Sequence, residues 1–402
     1  MSILQLTLTE SAYGGSSLAR LPDGHTVFVP FALPGESVRI RLIPAERPPL
    51  RADLLEILQQ APQRIPAVCP HFTICGNCAY QHLPYPNQLE LKTHLLRDQL
   101  QRVARLPNPP TLPAIPAPQA YAYRTHAEFS LTAEGQPAYR SHHGESFTPQ
   151  TCPILHPDLA ALYPQLDLES IPDLHNIELR LGTEGTPLLI LHGSDPQAPE
   201  FGVDIPLSAV YLHPHGSILL AGYDHTLHEI HARPFRVSAG APYPTSLPET
   251  VLETLLQNIP PHSHLLHLYS GSGILSALLA QNASHLTAIE ENPYAAFDFE
   301  VNLDEFDNVD LYEAPAELAL PEVRRVPQAA LLQPAGAGVS RGDLENLLAL
   351  KIPTLAYLST NAASLARDAR QLARAGYSLV TLLPFDAEPQ SAHIHSLSVW
   401  KT

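Results

Sequence analysis

The chain has 402 residues, 45% hydrophobic and 16% charged, enough for two or three domains with cores of their own and unlike a disordered tail. No run of 18 apolar residues occurs, and Met1-Ser2-Ile3-Leu4-Gln5 lacks the basic start and apolar stretch of an export signal, so no membrane span and a cytoplasmic location are expected. The net charge of −17 is uneven: residues 1–110 carry 10 Lys+Arg against 8 Asp+Glu, leaving 13 against 32 for the rest. Nucleic-acid binding rests on neutralising phosphates, so this acidic body is a poor partner for it, and the N-terminal part is the least hostile place.

Residues 1–58 read as short strands. Gln5-Leu6-Thr7-Leu8 alternates, Gly14-Gly15 turns, His25–Pro30 is a strand, Pro34-Gly35 turns, and Ser37–Leu42 alternates with Arg39 and Arg41 on one face. Five such strands predict a small barrel of the OB type. Residues 84–105 predict an amphipathic helix, with Leu89, Lys92, Leu96, Leu100 and Val103 at helical spacing. Six of residues 107–118 are proline, the composition of a stiff extended connector. Strands and turns then mix over 120–230, an α+β or β-rich middle domain.

From about 235 the pattern becomes strand–helix alternation. Buried strands are predicted at Leu265–Tyr269, Leu286–Glu290, Val309–Tyr312, Ala329–Leu332 and Thr354–Leu358. Helices fall between them, and two last strands lie at Ser378–Leu383 and Ile394–Trp400. Such alternation predicts a doubly wound sheet with its ligand at the carboxyl ends of the strands. Gly271-x-Gly273 after the first strand, followed by Glu290 closing the second, is a nucleotide-binding arrangement. There the glycines permit close backbone approach and the acid can take ribose hydroxyls. Tight strand–helix packing explains such a Gly-rich turn equally well.

The four cysteines are Cys69, Cys75, Cys78 and Cys152, three of them spaced Cys69-x5-Cys75-x2-Cys78. Four thiolates complete either a tetrahedral zinc site or a 4Fe–4S cluster, and these residues alone do not separate the two. Two disulfides, or unrelated buried thiols, are the plainer readings, and disulfides are disfavoured without an export signal.

Taken together, these segments resemble the TRAM-domain RNA uracil-C5 methyltransferase family, the 23S rRNA 5-methyluridine type. GGSSLARLPDGHTVFVPFALPGESVRIRL looks like the TRAM barrel, and the cysteine segment with AYQHLPYPNQLELKTHLLRDQL looks like that family's 4Fe–4S region. YRTHAEFSL and TCPILHPDLAAL resemble its central domain, HLYSGSGILS and TAIEENPYA its S-adenosylmethionine (SAM) site, and LSTNAASLARDARQLARAGY and FDAEPQSAHIHSLSVW its catalytic motifs. The resemblance implies three domains: an OB-like TRAM barrel at 1–58, a central α+β iron–sulfur domain at 59–234, and a Rossmann-like α/β methyltransferase domain at 235–402. It also implies that Cys69, Cys75, Cys78 and Cys152 hold the cluster.

The departures fall on the chemistry. The family's nucleophilic cysteine, in its SCN motif, is Thr360 here, and the glutamate base of its final H-x-E is His395. Of the positions that contact SAM, Tyr269, Gly271, Gly273 and Glu290 persist, whereas His267 replaces an acid, Gln333 replaces the acid of DPPR, and Pro244 falls where a glutamine is lost. The expectation is a pseudoenzyme that retains the cluster, binds SAM weakly or not at all, and contacts RNA through the N-terminal barrel or binds a protein partner, with no role for DNA. Two other expectations compete: an active SAM-dependent methyltransferase with altered chemistry, and an iron–sulfur protein with no RNA role.

Overall fold

The computed structural model describes residues 2–402 except 45, 46, 48, 167, 169, 170, 172, 201 and 203. Met1, read above with the N-terminal segment, lies outside the described residues.

Six strands open the chain: β1 (Ile3–Thr7), β2 (Glu10–Ser11), β3 (Ser16–Arg20), β4 (Thr26–Pro30), β5 (Ser37–Ile43) and β6 (Leu50–Gln59). They pair in the order β1-β5-β6-β4-β3-β2. β1 and β2 are opposite edges of this sheet, yet only Leu8 and Thr9 separate them in the chain. The sheet must therefore curl until its edges meet, which makes it a barrel. Val27, Val29, Val38, Ile40 and Ala52 fill it. The structure has six strands here where five were expected, and the LRADLLEILQ run of β6 shows no clean period of two. Arg39 and Arg41 do share a face, but each stands opposite an acid and pairs with it, Arg39 with Glu56 and Arg41 with Asp53.

Helix α1 (Tyr85–Arg102) follows the cysteine segment and starts with a proline in its first turn. Its Leu96 and Leu100 sit in a core shared with Leu266, Tyr357, Leu365 and Trp400, so this helix is built into the C-terminal domain although it precedes the central one in sequence. The proline-rich segment after it is no free spacer. Leu112 and Ile115 donate their amides to the carbonyls of Leu382 and Pro384, and the amides of Leu382 and Asp386 are taken by Pro110 and Ile115. Prolines suit this position, because a segment on a sheet edge needs only half of its amides for pairing.

The central sheet holds β7 (His126–Leu131), β8 (Pro137–Arg140), β9 (Ser146–Phe147), β10 (Leu174–Leu181), β11 (Pro187–Gly193), β12 (Ser208–His213) and β13 (Gly216–Ala221), in the order β13-β12-β11-β10-β7-β8-β9. Helix α2 (Pro157–Leu162) packs on it through Leu159 and Leu162. A separate ribbon, β14 (His225–Ile230) with β15 (Arg233–Ser238), leads onward. β15 runs across residue 235 and leans on the C-terminal domain, where Arg236 donates to Asp298 at 3.0 Å and Asn302 grips both Arg236 backbone groups.

The C-terminal sheet comprises β16 (His264–Leu268), β17 (His285–Glu290), β18 (Val309–Glu313), β19 (Ala329–Leu332), β20 (Thr354–Ser359), β21 (Ser378–Phe385) and β22 (His395–Lys401). Their order is β18-β17-β16-β19-β20-β22-β21, parallel except that β22 runs against both neighbours. The helices beside it are α3 (Glu249–Asn258), α4 (Ile274–Ala280), α5 (Pro293–Asn302), α6 (Ala316–Ala319), α7 (Arg341–Ala349) and α8 (Ala362–Arg374). Strand order reverses between β16 and β19, which places the ligand crevice at the carboxyl end of β16. Among the described residues no helix is long and apolar enough to cross a membrane.

Candidate active site and cysteine centre

The turn after β16 is built by two left-handed glycines. Gly271 has φ +55°, with open space where a Cβ would stand. At Gly273, φ +80°, a Cβ would meet Leu303 Cδ1 at 2.4 Å and Phe299 Cδ2 at 2.8 Å. The second glycine thus serves tight strand–helix packing, while the first leaves its side open to a ligand. Glu290 ends β17 beneath this turn, nearly buried. Its Oε2 accepts from the Gly271 amide at 2.7 Å and its Oε1 from the Asn292 amide at 2.9 Å. Each oxygen keeps a second lone pair for a ribose hydroxyl.

The substituted positions around this crevice are occupied by internal contacts. His267 is wholly buried in β16, its Nδ1 lies 2.7 Å from Ser276 Oγ, and burial pushes its imidazole down to about 3, against a weaker opposing contact with Gln333. It is therefore neutral, where an acid would have brought a charge. The Gln333 amide donates to the Leu268 carbonyl, tying β19 to β16. Pro244 follows Tyr243, whose hydroxyl lies 2.9 Å from both Thr125 Oγ1 and the Leu181 carbonyl, joining this segment to the central domain. Tyr269 has φ +59° and donates its hydroxyl to Asp343 Oδ2 at 2.9 Å.

Thr360 follows the last residue of β20. Ser359 stands opposite Ser396 on β22, so Thr360 and His395 each lie one residue from that pair, at the same end of the two strands. Thr360 is half-buried, and its Oγ1 is 3.7 Å from the position of a Cβ on Gly336. Asn361 caps α8 by accepting from the amides of Ala363 and Ser364. It also accepts from Tyr13 of the barrel, whose hydroxyl lies 3.0 Å from Asn361 Oδ1, so the barrel touches the residue next to Thr360. Arg367 and Asp368 serve the fold. Asp368 accepts from Tyr357, Arg367 and the Val339 amide, and Arg367 holds the carbonyls of Ala337 and Val339.

His395 is buried against the Phe385 ring, and its Nε2 lies 3.1 Å from Glu388 Oε1. Burial alone would raise the Glu388 carboxyl, but the hydrogen bond and charge of His395, with His393 and Arg124 nearby, prevail and hold it at about 2. A depressed carboxyl stabilises the fold fully above its unfolded value, about 4.3, and loses that contribution as pH falls through the folded one. Urea midpoints of the native chain and of Glu388→Gln are therefore expected to differ at pH 6 and to converge between about pH 4 and pH 2. A constant gap over that range would show that ionisation of Glu388 contributes nothing.

The same loop carries a second charged feature that the sequence only half announced. Lys92 of α1 and Asp386 are both fully buried, and Lys92 Nζ donates to Asp386 Oδ1 at 2.9 Å, Asp386 Oδ2 at 3.0 Å and the Glu388 carbonyl at 2.9 Å. A lysine in the apolar stripe of an amphipathic helix was the available signal. Its partner, 294 residues away, left none.

The four cysteines line one small pocket, with Phe72, Tyr139, Phe147 and Ile154 among its other walls. All four are free thiols, so the disulfide reading fails. Burial raises Cys69 and Cys75 and pushes Cys78 up to about 12. Four thiols lining one largely apolar pocket are the donor set of a soft metal centre, and both an iron–sulfur cluster and a zinc ion draw on such donors.

A mostly parallel seven-stranded sheet with one antiparallel strand, a glycine turn and a closing acid define a methyltransferase-type domain, here preceded by a small barrel. The TRAM domain family matches residues 2–55. The chain is 30% identical to the 23S rRNA (uracil(1939)-C(5))-methyltransferase RlmD of Methylococcus capsulatus, covering 97% of this chain and 95% of that one. It is 29% identical to RlmD of Pectobacterium carotovorum, over 99% and 93%. In fold it is similar to the tRNA (uracil-54, C5)-methyltransferase of Pyrococcus abyssi, solved with S-adenosyl-L-homocysteine, at TM-score 0.72 and 16% identity over 99% of this chain and 100% of that one. The chain belongs to the RNA uracil-C5 methyltransferase family.

Proposed function

We propose that this chain is a non-catalytic, RNA-binding member of its family that holds a 4Fe–4S cluster on Cys69, Cys75, Cys78 and Cys152 and acts in the cytoplasm. The observation that carries the reading is Thr360 at the nucleophile's place. In the family's chemistry a thiolate adds to C6 of uracil, C5 then takes the methyl group from SAM, and a carboxylate removes the C5 proton so that the C6–S bond can break. A threonine hydroxyl is barely ionised at neutral pH and becomes a nucleophile only with a base in hydrogen-bond reach. Among the described residues no side chain is hydrogen-bonded to Thr360 Oγ1.

SAM binding is weak or absent on this reading. Tyr269, Gly271, Gly273 and Glu290 remain in place, but Gln333 brings no charge and Pro244 no side-chain hydrogen bond. Losing charged contacts at ~1–3 kcal/mol each weakens binding by orders of magnitude. RNA contact is assigned to the barrel, which touches the active-site loop through Tyr13 and Asn361. A cluster, when bound, supplies a buried redox-capable or structural centre; the residues themselves position it beside the barrel, through Cys78 packed against Phe31.

One observation favours a second reading, an active SAM-dependent methyltransferase with altered chemistry. Glu388 keeps an ionised carboxylate bonded to the histidine at the base position. The deciding experiment is mass spectrometry of RNA from a strain lacking its own uracil methyltransferases and expressing this chain. No 5-methyluridine above the empty-vector background is expected. Its accumulation would establish an active enzyme and retire the reading proposed here.

A further inference from the structure

A second cluster of metal-binding side chains lies outside both the crevice and the cysteine pocket. Asp53 of β6, in the barrel, faces His142 and His143 in the turn between β8 and β9 of the central sheet. Each of the three offers a ligand atom within 4.8 Å of the other two.

The carboxylate is already aimed. Asp53 Oδ2 is held by Arg41, whose Nε and Nη2 stand 3.1 and 2.9 Å away. That leaves Oδ1 shielded from solvent without a well-formed hydrogen bond, although His143 Nε2 is 3.2 Å from it. A shielded carboxylate oxygen without a donor costs free energy, and a cation removes that cost. His142 is oriented as a ligand would be. Its Nδ1 lies 3.3 Å from the Ile74 carbonyl, and a hydrogen bond there fixes the tautomer whose Nε2 lone pair is free. Its ring is braced edge-on by Phe31 at 5.1 Å and lies 3.9 Å from the His143 ring.

Two imidazoles and one carboxylate, with solvent on the open side, are the donors of a divalent first-row metal rather than of calcium or magnesium, which prefer all-oxygen shells. We propose that Asp53, His142 and His143 form a zinc-class metal site that clasps the barrel to the central domain. The turn bearing both histidines is bound to the cysteine segment as well: the Gly76 amide donates to the Arg140 carbonyl at 3.1 Å and the His142 amide to the Ile74 carbonyl at 3.0 Å. A metal on this clasp would therefore fix the orientation of the barrel relative to the cysteine centre. The inference does not depend on the fate of catalysis.

The test uses the full chain, purified anaerobically, freed of loosely held metal and titrated with Co²⁺. One equivalent is expected to give weak visible d–d bands without sulfur-to-cobalt charge transfer, and Zn²⁺ should displace it. His142→Ala, His143→Ala and Asp53→Asn should each weaken binding at least ~10-fold, since even outer-shell changes cost that much. Both histidines are exposed, so their loss should leave the circular dichroism unchanged. His25→Ala, an exposed barrel histidine elsewhere, should bind as the native chain does. Charge-transfer bands would assign the metal to the cysteines and overturn the proposal. So would equal affinity in the doubly substituted His142→Ala/His143→Ala chain, or no binding to the native one.

Discussion

Replacing Lys92 by alanine is expected to destabilise the fold by about 3–5 kcal/mol, because it strands Asp386 as an uncompensated buried charge. All three ammonium protons are used, two on the Asp386 carboxylate and one on the Glu388 carbonyl, so nothing inside the protein replaces them. Burial lowers the lysine's affinity for its proton and the Asp386 charge works against that, so the ammonium depends on its partner. The pair joins α1, which follows the cysteine segment, to the loop that leads into His395. The cost should thus appear both in urea unfolding and as faster amide exchange over residues 386–395. Lys92→Met with Asp386→Leu removes both charges and should recover most of the loss, since a well-packed apolar pair is often as stable as the ions it replaces. A loss below about 1 kcal/mol in the single variant would mean that water reaches the site.

The C-terminal strands were legible because each is an apolar run between turn signals, and the glycine turn fixes where the first helix begins. Ala329–Leu332 is a strand with the bounds expected of it, and the other strands differ by at most two residues at an end. What local pattern could not carry is pairing across distance. The proline-rich segment reads as a spacer, and only the fold shows its backbone bonded along β21. β6 is hard to read from sequence because the exposed Leu55 and Leu58 hide its alternation. Helix α1 was legible as a helix but not as part of the C-terminal core. In the site, Thr360 and His395 were read from motifs alone, and each lies one residue from the Ser359–Ser396 pair of β20 and β22. Glu388 was not found, because its role depends on the β21–β22 loop folding back onto His395.

Changing Cys78 to serine is expected to abolish the cysteine centre outright. The anaerobically purified native chain should be brown and carry about four irons, whereas the variant should be colourless with iron near zero. Cys78 is well placed for this test. It is buried against Phe31, Phe72 and Ile154, so a hydroxyl of nearly the same size leaves the packing largely intact while removing a soft ligand. Burial pushes its thiol up to about 12, so it stays protonated at neutral pH unless a bound cation stabilises the thiolate. Cys69 and Cys75 share the pocket and are also raised by burial, which is why one missing ligand should empty the site rather than weaken it. The rival centre is a zinc ion. A colourless native chain with one zinc, lost in the variant, would replace the cluster with that ion. Sulfur X-ray absorption on the same sample would separate iron-bound from zinc-bound thiolates.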